Sequence, residues 1–169
     1  MARSSDISHV WDIVEDIGVC MLTTKFADGL RARPVEARLD RDSGLIRVVT
    51  GLQSPKEHEI EAEHDVGLTF VDPSRGICLS ISASATVSRD RAEVEAAWQS
   101  SDSLWWQGPA DPSVCVLHVT PHVAELWDGP ASRIVAAYEF VKAKLTGAPP
   151  NLGENRKTTI AIQRVYATP

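Results

Sequence analysis

The residues with chemistry to offer gather at Ser54-Pro55-Lys56-Glu57. A serine, a proline at the first helical position and a glutamate three residues after the serine make a helix start, with Ser54 as N-cap and Glu57 closing a capping box. Lys56 departs from that pattern, because a cation in the first turn opposes the helix dipole at a cost of about 0.3–1 kcal/mol. A neighbouring anion would remove the cost. Free backbone N–H groups, a hydroxyl and an ammonium converging at a helix start suit a phosphate. In the plainer alternative, Ser54 and Glu57 only cap the helix while Lys56 reaches into water or pairs with Glu59 or Glu63.

Arg31 and Arg33 form the second group. Two residues apart on an extended chain, they point to the same face, while Arg38 falls on the opposite one. Pro34 cannot donate to a ladder, which confines this part of the strand to an edge, a bulge or a place where a ligand meets the backbone. Arg31 and Arg33 are read either as surface arginines paired with a glutamate or as further ligands of the anion that Lys56 requires.

The elements that position these groups follow from periodicity and turn chemistry. Ser5 to Asp16 is an amphipathic helix closed by Gly18, and Val19 to Thr24 is a strand. The turn Ala27-Asp28-Gly29 leads to a partner strand, Leu30 to Leu39, and Arg41 to Gly44 turns the chain into the strand Leu45 to Thr50. Consecutive hairpins set the arginine strand beside the strand that feeds the Ser54 helix, so the two basic groups converge. After the helix from Pro55 to about His64 come strands Val66 to Asp72 and Ile77 to Arg89, the latter with Ser80, Ser82 and Ser84 on one face. That serine face suits either solvent or a closely packed ligand or partner. Asp90 caps a helix through Arg91 to about Gln99. Trp105 and Trp106 follow, and then a strand from Val114 to Val119 that Thr120-Pro121-His122 interrupts before Val123 to Trp127 completes it. A helix from Ile134 to Leu145 and an arm from 148 to 169, disordered alone or packed on a neighbour, finish the chain. Residues 1–147 form one domain. Six antiparallel strands with helices outside imply a mainly β, α+β architecture closed into a barrel.

Composition narrows the functions available. With 169 residues, 43% hydrophobic and 24% charged, the chain can bury a proper core. A net charge of −6 disfavours non-specific nucleic-acid binding, so any anion site is local. The N-terminus lacks the apolar run of a signal peptide and no segment reads as a membrane span, so a cytoplasmic location is expected. Cys20, Cys78 and Cys115 lie in apolar runs without ligand spacing and read as buried thiols. The five histidines are scattered, and no metal site is expected. The serine-hydrolase elbow, the P-loop, the dinucleotide glycine motif and the zinc motifs are all absent.

The order of the segments VWDIVEDIGVCMLTT, LRARPVEARL, TGLQSPKEHEIEAEHDVGLTFVD, CLSISASATVSRDRAEVEAAW and WWQGPADPSVCVLHVTPHVAELWDGP resembles the FMN-binding split barrel of the pyridoxamine 5′-phosphate oxidase-like superfamily, its general stress protein branch above all. The resemblance implies a six-stranded antiparallel split β-barrel and a homodimer with FMN at the subunit interface. It places Arg33, Ser54 and Lys56 at the FMN phosphate, and Arg31, Pro34, Val35, Thr50 and Gly51 along the flavin. It brings Trp127 from the other subunit, with Trp105 or Trp106 alongside. The activity implied is that of an oxidoreductase passing electrons between a reduced nicotinamide and a small acceptor, with hydride chemistry belonging to the flavin. Two alternatives stand beside it: a flavin-binding stress or sensor protein without turnover, and the same barrel holding a deazaflavin or haem. No catalytic residue is singled out, and no basic pair for a second, substrate phosphate is found.

Overall fold

One strand, β7 (Val114–Asp128), organises the sheet in the computed structural model, which describes residues 4–27, 29–52, 54–128, 142–145, 147 and 156–162. Along one edge β7 pairs with β6 (Ile77–Ser88), from Ile77 opposite Asp128 to Ser88 opposite Val116. Its other edge is shared. The first half takes β4 (Leu45–Gly51), and the second half takes β8 (Arg156–Ala161). The expected interruption at Thr120-Pro121-His122 does not occur. Pro121 lies where the β6 register shifts between Ser82 and Ala83, and a bulge tolerates a residue with no N–H to give.

The other strands are β1 (Val19–Phe26), β2 (Gly29–Glu36), β3 (Arg38–Asp40) and β5 (Asp65–Asp72), and the ladder order is β2-β1-β5-β6-β7-β4-β3. The two ends of that path, β2 and β3, are consecutive in the chain and separated only by Ala37. The single strand expected from Leu30 to Leu39 is therefore bent, its first part on β1 and its second on β4. The sheet curls until its two edges are halves of one segment, and no ladder joins them among the described residues. The result is a split barrel rather than a closed one. Eight strands are present among the described residues instead of six: the break at Ala37 makes one extra, and β8, within the stretch read as an arm, makes the other.

Alternation along the strands sends Cys20, Leu22, Val48, Leu68, Phe70, Leu79 and Ile81 into the barrel, where α1 (Ser4–Ile17) contributes Val10, Trp11, Ile13 and Val14. Burial of each such side chain favours the fold by about 1.5–3 kcal/mol. The opposite face of the same strands leaves Val19, Met21 and Val71 exposed. Met21 stands opposite Thr69, Val71 opposite Cys78, and Cys78 opposite Trp127.

Two further helices, α2 (Pro55–Ala62) and α3 (Arg91–Ala97), and a 3-10 turn at Ser100–Leu104 lie outside the sheet. Asp90 caps α3 as expected, its carboxylate accepting from the Ala92 N–H at 2.9 Å. The expected helix Ile134–Leu145 falls largely outside the described residues. No helix among the described residues is long and apolar enough to cross a membrane.

Candidate functional site

The chain leaves β4 at Gly51 and enters α2 at Pro55, with Ser54 as an extended N-cap residue. The capping box expected here does not form. Glu57 instead accepts from Arg89 Nη2 at 2.7 Å, since a nearby guanidinium binds a buried carboxylate more strongly than a backbone N–H does. The Ser54 hydroxyl is buried with no partner among the described residues. Buried polar groups are rarely left so.

Lys56 forms no hydrogen bond or ion pair among the described residues, and neither of its expected partners is available. Glu59 is taken by Arg33 at 2.7 Å, Arg31 at 3.3 Å and the Thr24 hydroxyl at 2.5 Å. Glu63 is taken by Lys25 at 3.1 Å. Burial first, and then the positive charge of Arg33, hold the Lys56 ammonium below the usual lysine range. Arg33 also donates to the Thr24 hydroxyl at 2.9 Å. For Glu59, burial pushes the carboxyl up, but the Thr24 hydrogen bond and the two arginines outweigh it and leave the group below its ordinary value.

Beside Lys56 opens a cavity of about 480 Å³, lined by Pro34, Val35, Thr50, Gly51, Trp105 and Trp106 together with Glu36, Arg38, Val49 and Asp102. Most of the residues singled out in the sequence thus meet on one wall. A Cβ on Gly51 would lie 3.9 Å from Trp106 Nε1, and Trp106 packs edge-on against Trp98. Arg31 belongs elsewhere: it stacks 3.7 Å above the Phe26 ring and lines a second cavity, of about 510 Å³, with Pro55, His58 and Glu59. Trp127 lines neither cavity of the single chain and pairs with Cys78 in the sheet.

Arg38 and Asp102 were not singled out by sequence. Both Nη groups of Arg38 donate to the Asp102 carboxylate, at 2.7 and 2.6 Å, and Nη1 also donates to the Ala97 carbonyl at 2.7 Å. Asp102 accepts from the Gln99 N–H at 2.9 Å as well, which a carboxylate three residues after a helix start could have signalled. Burial pushes the Asp102 carboxyl up, and Arg38 together with the Gln99 N–H brings it below the usual range. No cluster of three or more potential metal ligands occurs among the described residues. Cys20 and Cys115 are buried, and burial pushes their thiols up to about 12 and about 11.

Residues 5–151 match the family model described as pyridoxamine 5′-phosphate oxidase like. The chain belongs to this family. Solved structures share the fold of this pyridoxamine 5′-phosphate oxidase-like chain. A protein of Jannaschia sp. CCS1 assigned as general stress protein 26 superposes with a TM-score of 0.70 at 26% identity, covering 94% of this chain and 99% of its own. A Clostridium acetobutylicum protein of the pyridoxinephosphate oxidase family, related to general stress protein 26 of B. subtilis, gives 0.70 at 15% identity, covering 95% and 96%. The general stress FMN/FAD binding protein of Xanthomonas citri gives 0.65 at 24% identity, covering 74% and 90%. No curated protein matches the chain.

Proposed function

We propose that this chain is an FMN-binding oxidoreductase of the general stress branch, working as a cytoplasmic homodimer. Lys56 carries the reading: a half-buried cation beside a second cation, at a helix N-terminus, with no anion bonded to it among the described residues. Such a group lacks a dianion, and the partnerless Ser54 hydroxyl next to it lacks the same thing. The FMN phosphate would sit there on Lys56, Ser54 and Arg33. Pro34, Val35, Thr50 and Gly51 would carry the ring along the cavity, with Trp127 supplied by the second subunit, while Arg31, expected along the flavin, would have to leave the second cavity to reach it. Pro34 lies on β2, which among the described residues ladders only with β1, so the free edge of the strand is open to a ligand. Bound FMN would supply two-electron transfer between a nicotinamide donor and a small acceptor. The protein's part is to hold, orient and shield it.

Purified protein should be yellow with an FMN spectrum, and Lys56→Met should be colourless while keeping its fold by circular dichroism. Colourless wild-type protein that takes up no added FMN overturns the reading. A deazaflavin or haem spectrum would replace the cofactor within the same barrel. A yellow protein that neither NADH nor NADPH bleaches would be a flavin-binding stress protein without turnover.

A further inference from the structure

The exposed large apolar side chains include Leu104, 82% exposed at the end of the 3-10 turn, and Trp105, 77% exposed, which caps that turn and lines the cavity. Trp106 is different, because its ring is held by Trp98. Trp105 lines the cavity, yet no ring contact holds its indole among the described residues.

That turn is tied to the barrel by an uncommon device. The Asp102 carboxylate is held by the Arg38 fork, with side-chain exposures of 9% and 6% for Arg38 and Asp102. The Asp102 carbonyl in turn accepts the N–H groups of Trp105 at 2.9 Å and Trp106 at 3.1 Å. A buried ion pair adds little net stability, since desolvation cancels most of the attraction, but it defines one geometry. Here the geometry it defines is the position of two indoles against the cavity.

We propose that Trp105 is a stacking platform for a planar aromatic molecule at the cavity mouth, and that Arg38 is a positioning residue that fixes the platform through Asp102. The inference deepens the flavin reading by giving the class of the second ligand. Flat conjugated rings bind an exposed indole face, whereas compact or tetrahedral molecules gain little from it.

Quinoline, a planar probe, decides the matter by calorimetric titration of the FMN-loaded full chain. Wild type should bind it, Trp105→Ala should bind it about tenfold more weakly, and Trp105→Phe should restore most of the affinity. Arg38→Met combined with Asp102→Asn removes both charges, so no unpaired ion is left in the interior. With FMN held at saturation, this double variant should lose quinoline affinity like Trp105→Ala, while its tryptophan emission becomes easier to quench with acrylamide. If the double variant fails to fold, the two Trp105 variants decide alone, their side chain being exposed. Equal quinoline affinity in wild type and Trp105→Ala, no quinoline binding by wild type, competition between quinoline and FMN, or dissociation of the dimer by Trp105→Ala each overturns the proposal. If FMN itself does not bind, the flavin reading is lost, and quinoline titration of the FMN-free chain still judges the platform.

Discussion

Arg33 holds the carboxylate of Glu59 at 2.7 Å, joining the bent strand β2 to the first turns of α2. The two side chains are 21% and 5% exposed, so the pair is mostly shielded from water. Arg33 therefore has a structural duty besides any it has toward a ligand. Arg33→Ala should cost about 3 kcal/mol, the usual penalty for stranding a buried charge. Adding Glu59→Gln should recover part of that loss in urea unfolding. Arg31→Ala, from a half-exposed position 3.3 Å away, should cost less than about 1 kcal/mol.

Acid should act through the same carboxylate. Glu59 and Asp102 both have folded pKa values below their ordinary ones. The unfolded chain therefore takes up protons that the folded chain does not, and stability falls as pH drops. The contribution is complete above about pH 4.5 for Glu59 and is lost as pH falls below that toward its folded value. Glu59→Gln should give a lower but flatter stability curve as pH falls below about 4.5. A curve as steep as the wild type's would place the acid sensitivity elsewhere.

The charge of Lys56, unlike that of Glu59, opposes folding. Its folded pKa is depressed by burial and by Arg33, so the charged lysine works against folding in the ligand-free protein. Removing it with Lys56→Met should raise ligand-free stability by about 0.5 kcal/mol, the size of a helix-dipole effect, and should abolish the stabilisation that added FMN gives the wild type. The measurement is thermal unfolding with and without FMN. Loss of stability in the ligand-free variant would mean that Lys56 is a structural residue.

The architecture was legible because period-two alternation and turn residues are local signals, and β1, β4, β5 and β6 keep close to the bounds read from sequence. What escaped depends on distant partners. Ala37 breaks a strand because its two halves serve opposite edges of the curled sheet, and Pro121 continues one because β6 offers a bulge. At the site, Pro34, Thr50, Gly51 and Lys56 do line one cavity, but not by the expected pairing: the arginine strand β2 ladders with β1, and only β3 reaches β4, so the curl of the sheet rather than a shared hairpin brings them together. Glu57 left its expected cap for Arg89, and Asp102 found Arg38, across separations of 32 and 64 residues that no short motif encodes. Arg31 and Arg33 do share a face, yet Glu59 claims both.

The outer face of the sheet predicts how copies of the chain associate. Val19, Met21 and Val71 are 54%, 40% and 53% exposed, and Val71 continues through Cys78 to Trp127. An apolar row of this kind is the face on which the proposed homodimer would pack. Val71→Arg should leave the monomer's stability within about 0.5 kcal/mol, because the position is exposed there. In the proposed dimer the same charge would have to be desolvated, so sedimentation should show Val71→Arg as a monomer under conditions in which wild type is expected to pair. If Trp127 reaches the flavin of the other subunit, the variant should weaken FMN binding as well, without touching Lys56. A Val71→Arg chain that remains dimeric and yellow would move the subunit contact to a different face.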